Sequence, residues 1–490
     1  MEATTKSLIF FHFLILLLLL SPSFNLVLAS SKKLPSVNTK SHHYHRSLRR
    51  LDALKASIAS PLPPPSSPPP EGGSDPRIYL VTSYGADPTG QVDSTEALLA
   101  AMADAVNGSN YKGYMMMQGI TNVGGAQINL QGGNYLISRP LRLPVTGVGN
   151  LQIHGGTIRA SDTFPSDGYL IDLSPTNDKT SSSSPYNYEY ITFKDLLLDS
   201  NFKGGGISVI NSLRIGIDNC YITHFTTNGI LVQSGHETYI RNTFIGQHIT
   251  AGGDKGEREF SGTGITLQGN DNAVTDVVIF SGAIGIMVTG QANIISGVHC
   301  YNKASGFGGT GIYLRLPSLT QTRIVNSYMD YTSIVAEDPF QLHISSTFFL
   351  GDANIVLKSI KGVVSGINIV DNIFSGSNSG VEIVHLDQSK GGFENVEQVF
   401  VDRNVAKGMN MKSTIGRVSL QGNGTSSWVV DFNEVLLFPN LIKHVQYSLS
   451  IAAGDGFPGH VLRNVSDNRV VIETSEAVTG NLYVEVDQGR

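Results

Sequence analysis

Short hydrophobic cassettes recur along the middle of the chain, about every 20 to 35 residues. In the first cassette an aliphatic and a variable residue precede a turn-tolerant residue, which is Asn or Asp in five copies: Asn219, Asn242, Asp276, Asn326 and Asn372. In the second, two aliphatic residues flank a variable position: Ile207/Val209, Ile230/Val232, Ile265/Leu267, Ile286/Val288, Ile312/Leu314, Ile334/Ala336, Ile355/Leu357 and Val381/Ile383. Alternate residues of a strand share a face, so the repeats predict two strands per coil of a parallel β-solenoid. The Asn and Asp residues predict a structural ladder of turns, because they tolerate left-handed backbone.

The same alternation predicts which side chains face outward. The residue three positions after the first aliphatic residue of the second cassette lies on the outer face, and this column comprises Gln233, Gln268, Thr289, Arg315, Glu337, Lys358 and Val384. Neighbouring strands lie about 4.8 Å apart. We therefore expect Arg315, Glu337 and Lys358 to stack as cation, anion and cation on a flat side that can hold an extended polymer.

The chain divides into four predicted regions. Residues 1–29 have the basic, apolar and small-residue parts of a secretory signal peptide, and residues 30–76 form a proline-rich linker or a removable pro-segment. Residues 77–410 form the β-helix catalytic domain, which begins with a helix over 97–106 that covers the end of the stack. Residues 411–490 alternate differently and predict a small C-terminal β region that caps the other end.

Charge and composition narrow the classes of function. The net charge is −6, and the first 76 residues carry eight Lys or Arg against four Asp or Glu, so the remainder carries −10. This balance argues against a nucleic-acid partner. No later segment is apolar enough to cross a bilayer, so we expect a secreted, extracellular protein without stable membrane association. Secretion makes the sequons at Asn107, Asn423 and Asn464 predicted glycosylation sites.

The two cysteines are predicted to remain free thiols. Cys220 and Cys300 fall three coils apart, which is beyond the reach of a disulfide bond.

Candidate chemistry gathers where long loops interrupt the stack. The loops over 247–263 and 301–310 are expected to wall a cleft, and the polar residues between and above them are Tyr313, Arg315, Asp330, Glu337, Asp338, Asp352 and Lys358. Inverting glycoside hydrolysis needs two carboxyl groups about 6.5–9.5 Å apart, and several pairs in this set qualify. The alternative is a surface ion stack of little energetic value. A second candidate is Asp271 with Asp254, as a calcium site or carboxylate pair, although an Asn-Asp-Asn segment is also an ordinary turn.

Two segments carry a family resemblance. Tyr84-Gly85-Ala86-Asp87, followed by Asp93 and Thr95, resembles the N-terminal motif of the pectin-lyase-like superfamily of right-handed β-helices. The block over 262–339 resembles the plant Quartet-type polygalacturonases, divergent relatives of glycoside hydrolase family 28. The resemblance implies a right-handed coil and hydrolysis of α-1,4-linked galacturonan in the plant cell wall, with a role in pollen tetrad separation.

The leading hypothesis is therefore a monomeric, inverting polygalacturonase that acts on pectin without a cofactor or metal ion. Asp352 is the predicted general acid, and Asp338 or Glu337 the base. Arg315 and Lys358 are predicted to bind galacturonate carboxylates, and Tyr313 to pack on a sugar ring.

Two alternatives remain open. One is a calcium-dependent pectate lyase on the same fold, with Arg315 as a possible base. The other is a non-catalytic pectin-binding wall protein.

Overall fold

The computed structural model describes residues 77–108, 115–175, 184–247, 261–301, 308–452 and 456–489. The chain separates into two compact units, Met1–Gly73 and Ser74–Arg490, and every described residue belongs to the second. The predicted signal peptide, the whole 30–76 segment, Asp254 and most of the two predicted cleft loops lie outside the described residues.

The described residues are mainly β-strands. A 3-10 turn (Val81–Tyr84) and the helix α1 (Thr95–Asn107) lie among the first of them. The strands up to the middle of the chain are β1 (Ile78–Leu80), β2 (Thr89–Asp93), β3 (Met115–Met117), β4 (Ile120–Asn129), β5 (Asn134–Ile137), β6 (Val148–Ala160), β7 (Tyr169–Leu173), β8 (Tyr188–Asp199), β9 (Gly205–Ile210), β10 (Gly216–Asp218), β11 (Tyr221–Thr223), β12 (Asn228–His236), β13 (Tyr239–Arg241), β14 (Phe244–Gly246), β15 (Thr263–Asn270), β16 (Ala273–Thr275), β17 (Val278–Phe280) and β18 (Ile284–Val288).

The second half continues the same succession and ends in longer strands. These are β19 (Ile294–Ser296), β20 (His299–Tyr301), β21 (Thr310–Leu314), β22 (Arg323–Val325), β23 (Tyr328–Asp330), β24 (Ser333–Glu337), β25 (His343–Ser345), β26 (Phe348–Leu350), β27 (Ile355–Lys358), β28 (Val363–Val370), β29 (Ile373–Ser375), β30 (Val384–Asp387), β31 (Asn395–Asp402), β32 (Val405–Lys407), β33 (Ile415–Asp431), β34 (His444–Ile451), β35 (His460–Ser466) and β36 (Arg469–Asp487).

The strands wind into a right-handed parallel β-helix, as the sequence predicts. Each regular coil contributes one strand to each of three parallel sheets, although the cassettes predict two strands per coil. Sheet I holds β7, β9, β12, β15, β18, β21, β24, β27 and β30. Sheet II runs through β10, β13, β16, β19, β22, β25, β28 and β31, and sheet III through β11, β14, β17, β20, β23, β26, β29 and β32. The extra strand arises because one left-handed residue divides each first cassette from the strand that follows it.

The second cassette supplies the core side of sheet I. Its first aliphatic residues pair in register from coil to coil over Ile230, Ile265, Ile286, Ile312, Ile334 and Ile355. All six are fully buried. Burial of each such side chain stabilises the stack by about 1.5–3 kcal/mol relative to exposure, so the register of sheet I is strongly specified.

The predicted turn ladder is present, with one shift. Asn219, Asn242, Asp276 and Asn326 all have φ between 50° and 53°. At the fifth predicted position the left-handed residue is Asp371, at φ 57°, and not Asn372. Asn372 is instead fully buried, and its side chain donates hydrogen bonds to Ile344 O and Asn404 Oδ1.

A second shift changes the predicted outer column of sheet I. Val384, not Val381, pairs with Ile355, so Lys358 lies beside Asp387. The predicted position of Val384 on the outer face is therefore wrong, and Val384 is fully buried. Both Val381–Ile383 and Val384–Leu386 have the aliphatic spacing of the cassette, and only the three-dimensional packing separates them.

The two ends of the described chain have different packing. Helix α1 places Leu98, Ala101 and Met102 in the same core as the coils; that it covers the end of the stack stays a prediction. Beyond β32, the strands β33, β34, β35 and β36 form a four-stranded antiparallel sheet with its own core around Trp428 and Phe432.

Cys220 and Cys300 are free, buried thiols, as predicted, and burial raises the pKa of each to about 12.

Candidate functional site

The outer face of sheet I carries a short ladder of charged side chains. Glu337 of β24 pairs in register with Lys358 of β27, and Lys358 pairs with Asp387 of β30. Lys358 Nζ lies 3.8 Å from Asp387 Oδ2. The structure thus adds an acid that the sequence analysis missed, because the predicted register placed Val384 there.

Glu337 is held by a neighbour on the same face. Tyr313 of β21 donates its hydroxyl to Glu337 Oε1 at 2.5 Å. Only 9% of Glu337 is exposed, so it is more deeply covered than an outward surface position predicts. Burial, and then the hydrogen bond and charge of Glu337, raise the pKa of Tyr313 to about 12. The phenol therefore stays protonated and fixes the orientation of the carboxyl group.

Asp387 has the character of an ionised carboxylate. Its hydrogen bonds with Ser389, reinforced by the charges of Lys358 and His385, lower the pKa of Asp387. The Ser389 amide donates to Asp387 Oδ1 at 3.0 Å. Asp387 is therefore in the ionised form that a general base needs, and its lowered pKa makes it a weak base.

The spacing of the two acids is set by the sheet. Glu337 and Asp387 lie two strands apart, with Lys358 between them, which corresponds to about 9–10 Å between their backbones. This backbone spacing lies at the upper end of the carboxyl separation of about 6.5–9.5 Å that inverting hydrolysis requires.

Arg315 provides an accessible cation beside this ladder. It follows Leu314, which pairs with Ala336 immediately before Glu337. The side chain is exposed, and its guanidinium forms no hydrogen bond or ion pair with any of the described residues. Arg315, Glu337 and Lys358 therefore lie on adjacent coils, as predicted. The ion pair observed on this face, however, joins Lys358 to Asp387.

A second polar group lies just before β30, the strand that ends at Asp387. Glu382 contacts His385 Nδ1 at 3.1 Å and Lys412 Nζ at 3.5 Å. Neither Glu382 nor Lys412 was predicted: Glu382 occupies the variable position of the last cassette, Val381/Ile383, and Lys412 lies beyond the cassettes. Because Glu382 and Lys412 pair with each other, their charges are less available to a ligand than the charge of Arg315.

Asp338 does not lie in a cleft, in contrast to the prediction. It is fully buried, and its carboxylate accepts hydrogen bonds from the amides of Ile360, Lys361 and Val363. A left-handed backbone, with φ 35°, turns it away from the outer face after β24. Its carboxylate is inaccessible to solvent and engaged by these amides, so the geometry gives it a structural role in the following turn.

Asp352 is partly accessible but is unsuited to the predicted role of general acid. Partial burial acts to raise its pKa, but hydrogen bonds from Ser377 and Ser379 outweigh this effect, and the pKa of Asp352 is lowered. It lines a cavity of about 330 Å³ beside the ends of β26 and β29. This position is at the opposite end of the coil's sheet I strand from Glu337.

The remaining acidic candidates are separated from the ladder. Asp330 lies on sheet III, where burial raises its pKa. Asp271 contacts His236 Nδ1 at 3.3 Å at the edge of sheet I. Within the described ranges, no group of three or more His, Cys, Asp or Glu side chains is arranged to hold a metal ion.

The sequons lie at accessible positions. Asn107 ends α1, Asn423 lies in β33 and Asn464 in β35, and all three are exposed. Among the described residues, no helix is long and apolar enough to span a membrane.

The chain belongs to the family described as rhamnogalacturonase A/epimerase, pectate lyase-like, whose model matches residues 79–329. Polygalacturonase QRT3 of Arabidopsis thaliana is 63% identical over 453 residues, which cover 91% of this chain and 92% of that protein. Among solved structures, ORF18 of Geobacillus virus E2 has a TM-score of 0.52 at 11% identity and covers 91% of this chain and 81% of its own. The A-module of the Azotobacter vinelandii mannuronan C-5 epimerase AlgE6 has a TM-score of 0.43 at 13% identity, with coverages of 68% and 98%.

Proposed function

We propose that this protein is a secreted polygalacturonase that hydrolyses α-1,4-linked galacturonan on the outer face of sheet I. The observation that carries the proposal is the ladder of Glu337, Lys358 and Asp387 on consecutive strands. The identity to a protein named polygalacturonase supports the choice of substrate. Exposed Arg315 beside the ladder supports an anionic polymer over a neutral one.

Each residue has a defined part in an inverting reaction. Asp387, ionised by its Ser389 contacts, accepts a proton from water as the water oxygen bonds to the anomeric carbon. The glycosidic C–O bond breaks, and Glu337 donates a proton to the leaving oxygen. Lys358 and Arg315 bind carboxylates of the chain by charge-assisted hydrogen bonds. Tyr313 acts as a positioning residue, because its hydroxyl is bonded to Glu337.

The setting of this activity is proposed from the sequence. The predicted signal peptide over 1–29 would direct the protein to the extracellular space and the cell wall, with glycans at Asn107, Asn423 and Asn464. A role in pollen tetrad separation is proposed from the resemblance of the block over 262–339 to the plant Quartet-type polygalacturonases. The protein is proposed to act as a monomer, with the acidic polysaccharide as its partner.

The activity can be tested on polygalacturonate by following reducing ends and ultraviolet absorbance, with and without a chelator. Hydrolysis predicts new reducing ends without the absorbance of unsaturated uronides. Chelator-sensitive absorbance would indicate a lyase, and tight binding without cleavage a wall-binding protein. Inversion predicts that the first product is the opposite anomer, which NMR of early time points detects. Glu337→Gln provides the matched inactive control.

A further inference from the structure

A groove on sheet II has the features of a second binding site, away from the ladder of sheet I. Its floor is formed by outward side chains on consecutive strands: Arg323 of β22, His343 of β25 and Asn368 of β28. The groove encloses about 500 Å³ and is lined by Ala292, Gln321, Arg323, Gln341, Leu342, His343, Gly366 and Asn368. We refer to this set of residues as the Arg323 groove.

Left-handed turns build one wall of the groove. Ala292, Gln321, Gln341 and Gly366 have φ between 43° and 67°. Each stands two residues before the outward position of its coil; the first three precede their sheet II strands, and Gly366 lies within β28. The two central turns carry amide side chains that join each other, with Gln321 Nε2 donating to Gln341 Oε1 at 2.9 Å. Small residues occupy the outer two turns. The wall is therefore polar at its centre and low at both ends, so an extended ligand can pass across several strands.

The charge in the groove is not balanced by the protein. No Asp or Glu is among the lining residues, and the Arg323 guanidinium forms no hydrogen bond or ion pair with the described part of the chain. Arg241 offers a direct comparison on the same sheet, since its guanidinium donates to Asp218 Oδ2 at 3.1 Å. An unpaired guanidinium presents a planar donor fork that fits a carboxylate.

We propose that the Arg323 groove is a non-catalytic binding site for the carboxylate-bearing chain of an acidic polysaccharide. Arg323 would bind a uronate carboxylate, and the amides of Gln321, Gln341 and Asn368 would bind sugar hydroxyls. Exposed Ile294, which pairs in register with Arg323, offers an apolar surface to the C–H face of the next ring. The choice of galacturonan as the ligand rests on the proposed function. A second site on another face would keep the rod attached to the polymer between cleavage events.

Retention in gels containing polygalacturonate tests this site by native affinity electrophoresis. All proteins carry Glu337→Gln so that the polymer stays intact. Arg323→Ala should weaken retention about 3- to 10-fold, and Arg323→Glu further, because a charge-assisted contact is removed or reversed. Arg323→Lys should retain more than Arg323→Ala. The matched control Arg241→Ala removes a cation from the same sheet that is already paired, and should leave retention unchanged. Retention is measured as mobility relative to a gel without polymer, and in gels of fully methyl-esterified pectin this relative mobility should be the same for all variants.

The results separate this proposal from the proposed activity. Unchanged retention of both Arg323→Ala and Arg323→Glu, in variants whose thermal unfolding matches the parent, would overturn the groove. An equal loss in Arg241→Ala would also overturn it, since general charge would then explain binding. Hydrolysis by the protein with native Glu337 is measured separately. Its absence together with Arg323-dependent retention would reject the polygalacturonase and leave the groove supported.

Discussion

Replacing Glu337 by Gln removes an ionisable group from sheet I with little change of shape. The amide oxygen can still accept the Tyr313 hydroxyl, which lies 2.5 Å from Glu337 Oε1. We therefore expect stability to change by less than about 1 kcal/mol. If Glu337 transfers the proton to the leaving oxygen, turnover should fall about 10²- to 10⁴-fold, equivalent to about 3–5 kcal/mol of barrier.

Initial rates of reducing-end release from polygalacturonate, over a range of substrate concentrations, separate the turnover number from the Michaelis constant. The loss should appear in turnover, with a small change in the Michaelis constant, because Arg315 and Lys358 still bind the substrate. Asp330→Asn is the matched control, since Asp330 is a partly buried carboxyl group on sheet III. It should keep turnover near that of the native protein.

One result would refute the assignment. If folded Glu337→Gln keeps turnover within about threefold of the native protein, the proton-transfer contribution of about 10²-fold is absent. The ladder would then be a surface ion network, and the catalytic face would have to be sought elsewhere, starting with Asp271 and its His236 partner.

Four further outcomes are expected. Lys358→Ala should weaken galacturonan binding by about 1.5–3 kcal/mol and cost only about 0–1 kcal/mol of stability; its binding loss, measured by calorimetry, should shrink as salt rises. Asp338→Ala should lower the free energy of unfolding by about 2–4 kcal/mol, because three backbone donors lose their acceptor; denaturant titration checks this, and normal stability would contradict it. The lowered pKa of Asp387 should place the acidic limb of the pH–rate profile below the usual carboxylate range, and Ser389→Ala should move that limb to higher pH. The lowered pKa of Asp352 means that it contributes stability above its unfolded pKa, which is lost as pH falls through the folded value; in unfolding measurements from pH 5 to pH 2, Ser377→Ala should reduce that acid sensitivity.

The sequence predicts the stack well where one register alone satisfies the packing. From Ile230 to Ile355, the aliphatic pairs of each second cassette share one alternation, because a further pair such as Ile284/Ile286 falls on the same face, and the observed pairing is the predicted one. The prediction is wrong near the end of the stack, because two aliphatic pairs, three residues apart, compete for the same position. Burial of Val384 against Ile355 decides between them.

The site was harder to predict than the fold for a related reason. Whether a carboxylate faces water depends on the turn that follows its strand, and neighbouring Glu337 and Asp338 have different environments. Glu337 stays on the outer face beneath Tyr313, whereas the left-handed backbone of Asp338 directs its carboxylate to the amides of the next turn. The local sequence predicts the same solvent exposure for both carboxylates, and only the path of the next coil distinguishes them. Asp387 was missed through the register shift alone.

The regular spacing of sheet I has a consequence for how such an enzyme can change. Two acids at the same register position of this face are separated by whole numbers of strands, so their backbone separation takes values near 5, 10 or 15 Å. The first value suits a covalent, retaining mechanism, and the second approaches the inverting range. Moving one carboxyl group by a single coil, for example from Asp387 to the position of Lys358, would therefore switch the stereochemical class of the reaction in one step. The scaffold makes the choice of mechanism discrete, while the length of polymer it can hold grows coil by coil.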